Sequence, residues 1–174
     1  MSYEVFLKTF NRSVGNEGGF TNDRRDRGNW TSGKIGVGKL NGTKQGVSAM
    51  TYPNLDIINL TDDEIKEIYY RDWWLKLGMD KFRPAISYQM FDAAINHGMS
   101  RATKLLQKAV GATADGVIGP NTMGKVKDTE LNDLLFKFIA ERLQFFTDIR
   151  TFDTYGRGWS RRIAHNLKLA AEDN

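Results

Sequence analysis

Glu17 is a lone carboxylate set directly before two glycines, Gly18 and Gly19. Tyr3, Leu7, Phe10 and Val14 recur at helical spacing, and Glu17 continues that series three residues on. The acid therefore projects from the apolar face of a helix over residues 3–16, near its C-terminus. Partial burial and the negative end of the helix dipole both disfavour the ionised carboxylate there. A carboxyl that keeps its proton near neutral pH is what general acid catalysis requires. Beyond it, Asp23 and Asp26 lie in a polar turn. Hydroxyls at Thr21, Thr31, Ser32, Thr43 and Ser48 are spread through a stretch with six glycines between Gly28 and Gly46. Such glycine density lets backbone approach backbone or ligand closely and removes helix propensity. Carboxylates and hydroxyls beside such a glycine-rich stretch suit a site that protonates a leaving group and places a water. The competing readings are an ordinary exposed acid at a helix end and a purely structural hairpin.

Glu17-Gly18-Gly19-Phe20, Asn22-Asp23, Asp26, Gly28 and Thr43-Lys44-Gln45-Gly46-Val47-Ser48 together resemble the phage and bacterial endolysin muramidases of glycoside hydrolase family 108, within the lysozyme-like group. Two features depart from the family pattern: Arg24 and Arg27 stand where prolines are usual, and residues 29–42 form a longer connection. The resemblance implies cleavage of the β-1,4 bond between N-acetylmuramic acid and N-acetylglucosamine in peptidoglycan, with lysis of a bacterial host as the outcome. It implies Glu17 as general acid, Asp26 across the cleft and Thr43 holding a water. Thr43 is preferred to Thr31 because Gly46-Val47-Ser48 follow it. Phe91 to Gly98 resembles the family's central-helix signature, which sets Asn96 at the edge of the substrate groove. Helix capping is the equal alternative for Asn96 and His97. Gln45 in the return segment and Trp74, which lies off the main apolar stripe of its helix, complete the expected sugar contacts. Leu106-Gln107 followed by Asp115 to Pro120 resembles a peptidoglycan-binding segment often fused to these enzymes; the same turns also serve simply to join two helices.

The elements that must position these residues are mostly helical. Asn41-Gly42 predicts a hairpin turn, with short strands through residues 33–48. Thr61 and Glu64 form a capping box with a Leu60–Ile65 staple, opening a helix that runs to about Lys76. Pro84 at a first turn and Gly98 at a close bound an almost all-round apolar, hence central, helix. Shorter and longer helices follow over 100–110 and from about Asp128 to Ile149. In the latter, Leu134, Phe138, Ile139 and Leu143 belong to the buried stripe. The last, over 155–171, carries Trp159, Ile163, Leu167 and Ala170 on one side and Arg157, Arg161, Arg162, His165 and Lys168 on the rest. That pattern packs on the domain and leaves a cationic face, with an anionic membrane surface as the alternative partner. The expected fold is mainly α, lysozyme-like α+β, with a small β-hairpin lobe at 20–48. A catalytic region over 1–98 and a helical peptidoglycan-binding-like region over 99–174 pack together.

The chain has 174 residues, 40% of them hydrophobic, no cysteine and a formal charge of +4. Disulfides and thiolate zinc sites are excluded. With only His97 and His165 on separate helices, a zinc amidase is not expected, and no metal or cofactor is called for. The glycines lack the strand and helix context of a nucleotide fingerprint. The modest charge is scattered among acids, so a nucleic-acid partner is not expected. No signal-peptide pattern opens the sequence, which implies synthesis in a host cytoplasm and action on the wall or periplasm after release. A monomer is expected. A non-catalytic peptidoglycan-binding module and a lytic transglycosylase are the other functional classes compatible with these residues.

Overall fold

The computed structural model describes residues 2–14 and 19–173. Glu17, together with Gly18, lies outside the described residues. The chain divides into two compact units, residues 1–72 and 73–174. The functional division expected at 98/99 falls inside the second of these, between two helices that pack on each other.

In the first unit, helix α1 (Ser2–Ser13) and the residue after it bury Phe6, Phe10 and Val14; of the expected stripe, Phe10 and Val14 are buried, Leu7 is half-buried and Tyr3 is exposed. Its ring at Phe10 meets Tyr69 of helix α2 (Asp62–Tyr69) edge-on, with centroids 5.4 Å apart. The start of α2 is set by its sequence: Glu64 N–H donates to Thr61 Oγ1, and Thr61 N–H donates to Glu64 Oε2 at 2.8 Å. Two orphan donors are thus satisfied reciprocally, and losing such a cap costs about 0.5–2 kcal/mol.

Between α1 and α2 lies a three-stranded antiparallel sheet: β1 (Phe20–Thr21), β2 (Thr43–Lys44) and β3 (Val47–Ser48), in that order. The hairpin turn is not Asn41-Gly42. Lys44 pairs with Val47, so Gln45-Gly46 make the two-residue turn, with φ of 45° and 80°. Positive φ at both central positions matches the right-handed twist of the flanking strands. Gly42 has φ of 80° as well, but it and Asn41 donate their N–H groups back to the Asn29 carbonyl. The Asn-Gly pair therefore bends the chain toward residue 29 instead of reversing a hairpin. Residues 33–38 form turns rather than strands, and Ile35 and Val37 are exposed.

Helix α2 does not continue as an α-helix to Lys76. Residues Tyr70–Leu75 are π-helical, a winding in which backbone bonds span five residues instead of four. The wider turn rotates the following side chains away from the α-helical register. Trp74 is thereby turned inward, which corrects its expected place on an exposed sugar-stacking surface.

The second unit is built on helix α3 (Pro84–His97), buried from Ala85 to Ala94 and closed by Gly98 at φ 79°. Around it pack α4 (Met99–Ala109), α6 (Leu131–Thr147) and α7 (Phe152–Glu172), with α5 (Pro120–Asp128) between α4 and α6 in sequence. Helix α5 opens on Pro120 at its first turn, the same signal as Pro84, where sequence turns alone suggested a connector. Gln107 is buried and organises the loop before it. Its Nε2 donates to Asp115 Oδ1 at 2.7 Å, Val117 O and Thr122 Oγ1, and its Oε1 accepts from Gly116 N–H.

The centre of this unit is polar in a way that apolar periodicity does not reveal. Asp92, 2% exposed, accepts from Arg142 Nη2 at 2.6 Å, Arg162 Nη2 at 2.8 Å and Asn166 Nδ2 at 2.7 Å. Tyr88 and Gln89 donate to Asn166 in turn. Two expectations are corrected here. Arg162 is not part of the solvated face of α7 but ties α7 to α3. Leu167 and Leu143 are exposed, while Asn166 and Arg142 take the inner positions. Burial pushes the Asp92 carboxyl up, but the guanidinium groups of Arg142 and Arg162 outweigh it and hold it at about 2. The rest of α7 docks through apolar contact: Ile163 and Ala170 are buried, and Trp159 stacks on Phe146 with centroids 4.8 Å apart. Among the described residues, no helix is long and apolar enough to cross a membrane.

Candidate active site

The β-lobe of the first unit brings Asp26 and Thr43 to a common support. Asp26 caps the 3₁₀ turn Arg27–Asn29, its Oδ1 accepting the Gly28 N–H at 2.8 Å. A side chain on Gly28 would crowd that same oxygen at 3.2 Å, so the close turn favours glycine. The turn carries Asn29 inward, where it is fully buried. Asn29 then ties the turn to strand β2. Its Oδ1 accepts the Thr43 hydroxyl at 2.6 Å, and its Nδ2 donates to the Asp23 carbonyl at 3.0 Å. Its own carbonyl accepts from the N–H groups of Asn41 and Gly42. The Asp26 turn and strand β2 are thus fixed against each other through one amide. Asn29 carries no periodic or motif signal in the sequence beyond its adjacency to Gly28.

The two acids of this turn differ in what they have left to offer. Asp23 is engaged by Arg25, whose Nη2 donates at 2.7 Å and whose backbone N–H donates at 2.9 Å. Those bonds hold the Asp23 carboxyl down at about 2. Asp26 is exposed, and only its Oδ1 is bonded among the described residues. A carboxylate with one anchored and one open oxygen suits facing a developing positive charge or a water. The Arg24 position, where a proline is usual, contributes its carbonyl to the Trp30 indole N–H at 2.9 Å, which stiffens the same turn.

The remaining expected site residues are distributed over both units. Gln45 sits on the hairpin turn; its Nε2 donates to Asp62 Oδ1 at 2.9 Å and its carbonyl accepts the Tyr69 hydroxyl at 3.0 Å. Trp74 belongs to the second unit. It is 1% exposed, tilted against Phe91, and donates its indole N–H to Asp80 Oδ1 at 2.6 Å. No face of that ring is available to a sugar. Asn96 is exposed on the last turn of α3, with Nδ2 donating back to the Asp92 carbonyl at 2.6 Å. His97, beside it, is enclosed edge-on by Phe145 and Phe146, and among the described residues its Nε2 has no partner. Burial, reinforced by the charge of Arg142, pushes the imidazole down to about 4. Among the described residues, no group of three or more His, Cys, Asp or Glu side chains gathers as a metal-holding cluster.

Comparison with known proteins bears on this lobe directly. The family model of glycosyl hydrolase 108 matches residues 10–98, which contain Asp26, Asn29, Thr43 and Gln45. Among solved structures, Brucella abortus SagA matches with a TM-score of 0.79 and 26% identity, over 98% of this chain and 95% of that one. No curated protein matches. The mainly helical, lysozyme-like architecture with its small antiparallel sheet agrees with that neighbour. With over half its length matched by the family model, the chain belongs to the glycosyl hydrolase 108 family and is a glycoside hydrolase of the N-acetylmuramidase type.

Proposed function

We propose that the chain hydrolyses the β-1,4 bond between N-acetylmuramic acid and N-acetylglucosamine in bacterial peptidoglycan. Glu17 is the general acid that protonates the glycosidic oxygen. Asp26 faces it across the scissile bond, stabilising the oxocarbenium-like state or orienting the water that attacks. Thr43 positions that water. The observation that carries the reading is the convergence of Asp26 and Thr43 on the buried Asn29, inside the segment matched by the family model. The Thr43 hydroxyl proton is already committed to Asn29 Oδ1. The oxygen therefore offers lone pairs only, and a water bound there donates to it and turns its own lone pairs outward. Gln45 and Asn96 contribute sugar contacts, each amide keeping its oxygen and a second N–H beyond the one given to Asp62 or to the Asp92 carbonyl.

The biological reading is a phage-type endolysin acting as a monomer on the cell wall, aided by the cationic face of α7. Mass spectrometry of products from purified glycan strands tests the chemistry. A reducing-end N-acetylmuramic acid supports hydrolysis. An anhydro sugar identifies a lytic transglycosylase, and no cleavage leaves a binding module. Expression directed to the bacterial periplasm tests the biology: lysis is expected for the parent and absent for Glu17→Gln.

A further inference from the structure

Helix α4 carries Arg101, Lys104 and Lys108 on one face, and Glu141 of α6 and Asp148, the residue that closes α6, line the other side of a cavity of about 400 Å³. The floor is apolar, formed by Leu105, Phe145 and Ile149. That volume lies in the range of small-molecule sites. Although α4 and α6 pack on each other, none of these five charges forms an ion pair among the described residues. Opposite charges within reach on two packed helices would close the gap; here they stand apart, cations on one wall and acids on the other. Two of them are held in place. The Arg101 guanidinium lies over the Phe145 ring, 4.8 Å from its centroid, a favourable cation–π contact. Gln144 Nε2 donates to Asp148 Oδ1 at 2.9 Å.

We propose that this cavity binds a short zwitterionic peptide, with its carboxylates toward α4 and a free amine toward Glu141 and Asp148. A polyanion is disfavoured by the two acids, and a neutral sugar leaves five charges uncompensated. The proposal rests on the peptidoglycan reading for its natural ligand. Of the chemical parts of that polymer, the stem peptide is the one that presents separated carboxylates and an amine. The site then holds the peptide branch while the β-lobe works on the glycan.

The test uses the full chain and a synthetic tetrapeptide with an internal glutamate, a free side-chain amine and a free C-terminus. Titration followed by calorimetry and by amide NMR shifts is expected to show saturable binding centred on Arg101, Phe145 and Asp148. A peptide-free disaccharide should leave those signals unmoved. Acetylating the amine, or combining Arg101→Glu with Lys108→Glu, should weaken peptide binding roughly tenfold or more. Both substituted positions are exposed, and Glu141→Lys provides an independent reversal on the other wall. The proposal is overturned if the tetrapeptide gives no saturable shift, or if well-folded reversals on both walls bind it as the parent does. Peptide binding by a chain that cleaves no glycan supports the site and removes the reaction; cleavage without peptide binding does the opposite.

Discussion

Thr43 donates its hydroxyl to the side-chain oxygen of Asn29 at 2.6 Å, and Asn29 is wholly buried. This bond makes the hydroxyl both a structural and a chemical group, and substitution separates the two roles. Thr43→Ala leaves the buried Asn29 oxygen unpaired, at a cost of about 1–3 kcal/mol. It also removes the acceptor for the attacking water. Thr43→Ser keeps both. The expected result is a turnover loss with a lowered Tm for Ala, and near-parental values of both for Ser. Equal activity in the two variants removes Thr43 from the water site.

Glu17→Gln retains shape but cannot donate a proton, so turnover should fall by about 10²–10⁴-fold. Asp26→Asn should lose less. The Asn amide oxygen still accepts the Gly28 N–H and holds the turn, while solvent replaces part of the positioning. Because Asp26 is exposed, its variant should melt with the parent. Steady-state rates on purified glycan strands, paired with thermal melts, check both expectations.

The sequence made the local elements legible and left the long-range ones dark. The Thr61–Glu64 box and the Pro84-to-Gly98 bounds of α3 depend on residues within one helix, and the structure has them where they were expected. Trp74 depended on a π turn that apolar spacing does not announce. Arg142, Arg162 and Asn166 are polar types occupying inner positions because Asp92, on another helix, pairs with them. No period in α6 or α7 encodes that. Within the site, Asp26 and Thr43 were readable as residue types in a motif. Their link through Asn29 is a contact between residues fourteen apart and could be found only in three dimensions. Glu17, the residue most visible in the sequence, lies outside the described residues.

Asp92 and His97 together set a stability profile with two steps. His97 is held at about 4 against an ordinary 6.5. The unfolded chain therefore takes up this proton first as pH falls. Stability is full above about 6.5 and declines from there toward about 4. After discounting for the part-exposed ring, the loss is about 1–2 kcal/mol. Asp92 is held at about 2 against an ordinary 3.8. Its contribution is present above 3.8 and is lost as pH falls from there through 2. Thermal melts across this range should show both steps, and His97→Phe should flatten the upper one. Asp92→Asn should cost about 3–5 kcal/mol at neutral pH, since it leaves two guanidinium groups without their counter-charge.

Gly46→Ala tests the hairpin turn. The backbone there has φ of 80°, which costs an L-residue roughly 1–2 kcal/mol. The added Cβ would also collide with the Tyr69 hydroxyl, breaking its bond to the Gln45 carbonyl. A Tm lowered by several degrees is expected. An unchanged Tm would mean that the turn is not the one described. Gly36→Ala is the matched control for strain alone, because its φ is 79° but no atom lies within 4 Å of its added Cβ.

The cationic face of α7 separates binding from chemistry once Arg162 is set apart. Arg157, Arg161 and Lys168 are exposed, whereas Arg162 is bonded to Asp92 through both Nε and Nη2. Reversing Arg157, Arg161 and Lys168 to Glu leaves the docking contacts of Ile163, Ala170 and Trp159 intact. Such a variant should melt like the parent and cleave short soluble glycan fragments at the parental rate. Its lysis of whole cells should weaken, most at low salt, where the Debye length reaches about 30 Å at 0.01 M and surface charge acts furthest. Arg162→Glu is expected to behave differently. It sets a second carboxylate against the buried Asp92, so Tm, fragment cleavage and lysis should fall together at every salt concentration. If the triple reversal also abolishes fragment cleavage, the exposed face belongs to the fold or the active site, and its proposed role in attachment fails.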